Sequence, residues 1–136
     1  MLKLDALLPG AEHFYVYEAV CKCDDPDCHF GREEGDVPLR QIQLLERIRL
    51  RIGGPVRPTS WCRCEKHNQA VGGAKNSTHK LAEATDIQVE GGRHRRMVLD
   101  AAILEGAEGV GVANGFIHVD SHRGSAEVPR PSAWSY

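Results

Sequence analysis

Two histidines and an aspartate, His79, Asp86 and His118, constrain the fold of this chain more than any other feature. Two imidazoles and one carboxylate form a common catalytic zinc set, in which water takes the fourth position. Zinc ligands lie about 2.0–2.2 Å from the ion, so a fold that uses this set must bring residue 118 back beside residues 79 and 86. The spacing by itself is a weak signal, because a chain with seven histidines offers such pairs by chance.

Hydrophobic periodicity predicts a single α+β domain over residues 1–136, with an antiparallel sheet and flanking helices. Apolar residues recur every three or four positions after Pro38, which predicts a helix that Asp36 caps and Gly53-Gly54 ends. A second helix is expected at about 93–105, and one or two helical turns at 65–70. The predicted strands are 14–17, 56–63, 84–89 and one or two within 109–120, where Asn114-Gly115 is a turn signal. Loops are predicted at 21–37 and 72–76.

Charge and hydropathy exclude several classes of function. A formal charge of −2 without a basic patch argues against a nucleic-acid-binding module. No apolar run approaches the roughly 20 residues of a membrane span. The first ten residues make a poor secretory signal, because Asp5 interrupts their apolar stretch. We therefore expect the chain to be made in the cytoplasm without a signal peptide. We also expect it to be a monomer.

The order of motifs along the chain resembles the zinc D-Ala-D-Ala carboxypeptidase and murein endopeptidase family. The resemblance is strongest to its small phage-type and prophage-type members and spans roughly residues 14–134. It implies the fold of that family, which is shared with the hedgehog signalling domain. The matching residues are Ser60-Trp61-Cys62-Arg63 with Asn68, the segment Gly72–His79, Ala84-Thr85-Asp86, Gly109-Val110-Gly111, the segment Phe116–Asp120 and Trp134.

The resemblance also implies roles for individual residues. His79, Asp86 and His118 match the zinc ligands of the family, while Arg63 and Ser77 match residues that engage the substrate. Several relatives carry an acid three residues before the last zinc histidine, and this chain has Gly115 there. Asp120 is the nearest substitute, and it is predicted either to act as the catalytic base or to orient a ligand imidazole. Trp61 and Cys62 stand where the family commonly has Gly-Tyr, which leaves the detail of the substrate pocket open.

The function that this resemblance implies is zinc-dependent hydrolysis of peptidoglycan stem peptides or cross-links. The enzyme would be a D-Ala-D-Ala carboxypeptidase or an endolysin-type endopeptidase that reaches the cell wall by phage-type release, or a bacterial wall-remodelling enzyme. The alternative is a catalytically inactive, zinc-bound module of the same fold that binds the wall or forms part of a virion. The residue at position 115 motivates this alternative.

The five cysteines form a separate question. Cys21, Cys23 and Cys28 lie close together in sequence, with His29 after them, and Cys64 follows at a distance. They could bind a second, structural metal, or they could form disulfides such as Cys21 or Cys23 with Cys64. Free thiols in a loop and a core are the third alternative, and the sequence leaves all three open.

Overall fold

A five-stranded sheet with strand order β1-β2-β4-β3-β5 forms the centre of the molecule. The structure is a computed structural model and describes residues 1–136. Every neighbouring pair is antiparallel except β3 and β5, which run parallel. The strands are β1 (Pro58–Ser60), β2 (Ala84–Gln88), β3 (Gly109–Val112), β4 (Phe116–Asp120) and β5 (Ser132–Ser135).

The register of the sheet places the predicted metal ligands in one row. Asp86 on β2 lies directly opposite His118 on β4, and Gly111 on β3 lies opposite His118 on its other side. Trp134 on β5 continues the row as the partner of Gly111. Residues paired across neighbouring strands present their side chains on the same face. Asp86, His118 and Trp134 therefore meet on one face of the sheet.

Four helices and one 3₁₀ turn surround the sheet. They are α1 (Val16–Ala19), α2 (Leu39–Ile52), α3 (Glu65–Ala70), α4 (Gly91–Leu104) and the 3₁₀ turn Thr78–Leu81. None of the helices is long and apolar enough to cross a bilayer. The α+β architecture predicted from the sequence is confirmed, as are the helices at 39–52 and 65–70.

Helix α2 packs its apolar stripe into the core, with Ile42, Leu45 and Ile48 almost fully buried. Gly53 ends the helix in the left-handed conformation, with φ at 74°, which a glycine adopts without steric strain. The prediction that Asp36 caps this helix is wrong. Its carboxylate accepts the main-chain N–H groups of Gly31 and Glu33 instead, and Pro38 occupies the cap position.

The first 37 residues supply part of the same core as the sheet and helices. Leu8, Phe14, Val16 and Ala19 are buried in one cluster with the apolar residues of α2, β2 and β4. The strand predicted at residues 14–17 is wrong, since a single turn of helix, α1, begins at Val16. The Glu18 carboxylate accepts the N–H of Tyr15 and thereby stabilises that turn, which outweighs the β-propensity of the aromatic residues.

Two features of the sheet differ from the prediction. The strand expected at 56–63 covers only Pro58–Ser60. Strand β5 was not predicted, and its parallel pairing with β3 makes the sheet mixed rather than antiparallel. Its sequence, Ser-Ala-Trp-Ser, lacks a convincing apolar alternation, so its conformation depends on pairing with β3.

Candidate metal centre and substrate cavity

The three predicted ligands meet at the face of the sheet described above. His79 comes from the 3₁₀ turn, Asp86 from β2 and His118 from β4. The Asp86 Oδ1 atom lies 3.2 Å from His79 Nε2 and 3.4 Å from His118 Nδ1. The residues are 2%, 5% and 4% exposed, respectively. Two imidazoles and one carboxylate that are buried this close together are able to hold a metal ion.

Each imidazole has a hydrogen-bond partner on the side away from Asp86. His79 Nδ1 lies 2.8 Å from the main-chain oxygen of Trp61, and a carbonyl oxygen can only accept, so Nδ1 carries the proton. His118 Nε2 donates in the same way to Asp120 Oδ2 at 2.7 Å. When both rings are neutral, as metal ligation requires, their lone pairs on His79 Nε2 and His118 Nδ1 point towards Asp86. A ring that gains a second proton donates it from this same nitrogen to Asp86. Metal-ligating histidines are commonly oriented by such outer partners.

The buried charges shift the pKa values of the cluster. Burial favours the neutral acid at Asp86, but hydrogen bonds from His118 and His79 outweigh it and hold the pKa well below its usual range. Burial lowers the pKa of His79, and its hydrogen bond to Asp86 offsets this only in part. For His118 burial acts in the same direction, yet the hydrogen bonds to Asp120 and Asp86 raise the pKa. The ionised Asp86 and the neutral His79 are the forms that bind a cation, whereas a protonated His118 must release its proton before it can act as a ligand.

The ligand separations fit a tetrahedral metal site. A zinc ion bound to nitrogen and oxygen at about 2.0–2.1 Å has ligand atoms about 3.4 Å apart along each edge of the tetrahedron. The separations from Asp86 Oδ1 to His79 Nε2 and to His118 Nδ1 are 3.2 and 3.4 Å. The donor set is the one that catalytic zinc takes, with one position left for another ligand.

Arg63 lies beside the cluster on the other oxygen of Asp86. Its NH2 group donates to Asp86 Oδ2 at 3.1 Å, and its Nε donates to the Ser60 hydroxyl at 2.9 Å. The main-chain N–H of Arg63 also donates to the carbonyl oxygen of His79. Two side-chain bonds use two of the five N–H donors of the guanidinium, so the remaining donors are available to a ligand.

Ser77 caps the 3₁₀ turn that carries His79. Its hydroxyl accepts the main-chain N–H of His79 at 3.3 Å. The side chain also lines the cavity described below, so its predicted contact with substrate remains a prediction.

Asp120 is fully buried, behind His118. Its carboxylate accepts from His118 and from Arg130, whose NH2 group lies 2.7 Å away, and it also accepts from the Thr78 hydroxyl at 3.3 Å. Burial raises the pKa of Asp120, but the hydrogen bonds and charges of His118 and Arg130 outweigh it and bring the pKa to about 2. Asp120 does not line the cavity. Of its two predicted roles, this position favours the orientation of His118, and the role of catalytic base stays a prediction.

A cavity of about 740 Å³ opens on the metal cluster and on Arg63. One wall is the loop of residues 72–77, and the other is formed by residues 127–130 with two aromatic side chains of the C-terminal segment, Trp134 and Tyr136. Trp134 packs against His118, with ring centroids 4.9 Å apart, and Arg130 lies over its indole. Asp86 and Glu127 are the two carboxylates among the lining residues.

Sequence reasoning missed Glu127, Arg130 and Tyr136 in this cavity. One signal pointed to Arg130. If Asp120 orients His118 from behind, its carboxylate is buried, and a buried carboxylate requires a cationic or hydrogen-bonding partner. Glu127 and Tyr136 had none, since they belong to a stretch with no periodic pattern. Trp61 and Cys62, in contrast, are buried in the core and do not line the cavity.

The sequence profile of the peptidase M15 family matches residues 12–120. The chain belongs to this family. The matched segment contains the three metal-cluster residues and Arg63, and it ends at Asp120, before the residues 127–136 that complete the cavity. A comparison with curated proteins finds no match. Family membership makes the chain a metallopeptidase, a hydrolase of peptide bonds.

Four of the five cysteines of this M15 peptidase form a second cluster away from the cavity. The sulfur atoms of Cys21, Cys23, Cys28 and Cys64 all lie within 4.8 Å of one another. Cys62 is 2% exposed and is not part of this cluster, and neither is His29, which is exposed.

Proposed function

We propose that this M15 peptidase is a zinc enzyme that hydrolyses peptidoglycan stem peptides or cross-links, as a D-Ala-D-Ala carboxypeptidase or an endolysin-type endopeptidase. The observation that carries the proposal is the open metal cluster beside Arg63 at the cavity wall. His79, Asp86 and His118 would hold the zinc ion. The proposed place of action is the cell wall, where these peptides occur, reached by phage-type release.

Zinc in this cluster supplies Lewis-acid chemistry, since it polarises a carbonyl group and lowers the pKa of water towards about 7. The protein side chains position the reacting groups. Trp61, through its carbonyl oxygen, and Asp120 fix the two imidazoles, so that the ligand nitrogens require no reorientation. Trp134 covers one face of His118 and limits the access of water from that side.

The charge of the cavity matches a peptide that ends in a carboxylate. Arg63, Lys75 and Arg130 line it, and Glu127 is the single lining carboxylate outside the metal cluster. Arg130 is paired with Asp120, so Arg63 and Lys75 are the cations that remain for a substrate. Arg63 retains free N–H donors, and a guanidinium binds a carboxylate or a carbonyl oxygen in a fixed geometry. We assign substrate binding to Arg63, with Ser77 on the adjacent loop as a second contact.

Glu127 is our candidate for the group that accepts a proton from the attacking water. Of the two carboxylates that line the cavity, Asp86 is committed to the metal cluster, and Glu127 is exposed. Gly115, at the position where several relatives carry an acid, does not line the cavity. General-base catalysis contributes about 10²–10⁴-fold to a rate, so Glu127→Gln should lower kcat by about that factor while zinc content stays unchanged.

The test is digestion of purified sacculi followed by mass spectrometry of the released muropeptides, because product masses identify the bond that is cut. His118→Ala and treatment with a chelator should both abolish cleavage, and added zinc should restore it only in the chelated wild type. His94→Ala on α4 is the matched control, since this histidine is remote from the cavity and bonds only to the N–H of Glu90. Cleavage that persists in His118→Ala or in chelator would refute the proposal.

The alternative, a zinc-bound module without peptidase activity, is motivated by the residue at position 115. It predicts one zinc ion in the His79, Asp86 and His118 cluster, binding of sacculi in a sedimentation assay, and no released muropeptides at any enzyme concentration. The digestion experiment therefore separates the two functions.

A further inference from the structure

We propose that Cys21, Cys23, Cys28 and Cys64 hold a second, structural zinc ion. The cluster lies outside the proposed active site, and the inference does not depend on peptidase activity. Three of the ligands come from the loop after α1, and Cys64 is the residue that caps α3.

The arrangement of the sulfur atoms favours a metal over disulfides. Tetrahedral zinc with bonds of about 2.3 Å to sulfur has its sulfur atoms about 3.8 Å apart. All pairs among the four sulfurs lie within 4.8 Å, which is as compact as a single tetrahedral site requires. Two disulfides would require only two short separations, and one disulfide only one.

The main chain around the cluster provides hydrogen bonds to the sulfurs. The N–H of Cys64 donates to Cys21 Sγ, and the N–H of His67 donates to Cys64 Sγ, both at 3.3 Å. N–H groups directed at sulfur stabilise its ionised form, which is the form that binds a metal.

A metal at this position would connect the N-terminal segment to the proposed active site. Cys64 follows Arg63 directly, and the N–H of Arg63 donates to the carbonyl oxygen of His79. The N–H of the preceding residue, Cys62, donates to Ala19 at the end of α1. The ion would therefore fix the segment that carries the substrate-binding arginine.

The experiment measures metal content and cobalt spectra of the full chain, prepared under reducing conditions without oxygen. Wild type should contain two zinc ions per chain, and His118→Ala and Cys23→Ala/Cys28→Ala should each contain one. The control Cys62→Ala changes a cysteine outside the cluster and should retain two. Cobalt in place of zinc should give a thiolate charge-transfer absorption in wild type and in His118→Ala, which the sulfur-free His79, Asp86 and His118 cluster cannot produce.

A measurement on wild type alone covers the case in which the cysteine variant does not fold. An organomercurial reagent, which binds thiolates, should release one zinc ion per chain from native protein. The proposal is overturned if no thiolate absorption appears with cobalt and all five cysteines are alkylated regardless of chelator. A second sample is purified in air without reductant, and the proposal is equally overturned if its cluster cysteines resist alkylation in chelator until a reductant is added, since that identifies disulfides. Loss of zinc from the histidine cluster alone would contradict the proposed function and leave the cobalt–thiolate result intact.

Discussion

Asp120→Asn separates the two roles that the sequence suggests for this residue. The carboxylate lies 2.7 Å from His118 Nε2 and 2.7 Å from the NH2 group of Arg130, and the residue is 0% exposed. Its pKa is about 2, against an ordinary value of 3.8, because these partners outweigh the effect of burial. That difference corresponds to about 2 kcal/mol in favour of the ionised carboxylate. Asparagine keeps the size of the side chain and removes the charge.

We expect Asp120→Asn to weaken zinc binding by about 10–100-fold, because the loss of an outer hydrogen-bond partner typically has this effect on a metal site. The free energy of unfolding of the metal-free protein should fall by about 2 kcal/mol or more, since Arg130 loses its buried partner. Zinc affinity is measured by competition with a chromophoric chelator, and stability by urea denaturation. The surface variant Asp100→Asn, which loses only an exposed pair with Arg96, is the control for a charge change.

A general-base role would produce a different pattern. Removal of a catalytic base lowers kcat by about 10²–10⁴-fold and leaves metal affinity unchanged. The activity of the zinc-saturated variant is therefore measured on the same muropeptides. An unchanged zinc affinity combined with a fall in kcat of about 100-fold or more would refute the reasoning that Asp120 acts through His118.

Three further predictions concern pH, substrate binding and packing. The ionised Asp120 stabilises the metal-free protein above a pH of about 4, and this contribution is lost as the pH falls towards 2. In urea titrations, the difference in stability between wild type and Asp120→Asn should therefore shrink over that range. A difference of full size at pH 2 would contradict the prediction. Arg63→Lys should lower kcat/KM by roughly 10–100-fold, because lysine cannot bond Ser60 and Asp86 in the same fork geometry. Unchanged steady-state kinetics would count against a role for Arg63 in substrate binding. Gly111→Ala should lower the free energy of unfolding by about 1–3 kcal/mol and reduce activity, because the new Cβ would lie 2.5 Å from Trp134 Nε1. Stability is measured by urea denaturation. Gly54→Ala is the control, since a Cβ at that position meets open space. Equal stability of the two glycine variants would argue against this close packing.

The strongly patterned elements of this fold could be predicted from the sequence. The apolar stripe of α2 and the glycine after it define a helix whose C-terminal end agrees with the prediction, whereas Pro38 and not Asp36 occupies its N-terminal cap. Strand β5 could not be predicted, because its short polar sequence owes its conformation to the parallel pairing with β3. The glycines of β3 leave the space that Arg130 and Trp134 fill, and no local pattern in residues 130–135 indicates this.

The candidate site also has features that could be predicted from the sequence and features that could not. The identities of the three ligands and of Arg63 were available from motif order, and the structure brings these four residues together. Their orientation was not available, because His79 is held by a main-chain oxygen, which any residue at position 61 could provide. Asp120 was recognised, but its burial behind His118 depends on the strand register and on Arg130, ten residues later in an irregular segment. Long-range packing of this kind leaves no periodic trace in the sequence.

The metal ligands Asp86 and His118 lie on β2 and β4, two of the three inner strands, whereas most of the cavity wall is loop, residues 72–77 and 127–130. Loops accept insertions and exchanges far more readily than paired strands do. The reactive centre and the surface that selects a peptide can therefore change independently in evolution. An engineer could exchange the segment 121–131 between relatives to redirect cleavage, while β2 and β4 keep the same ligand geometry.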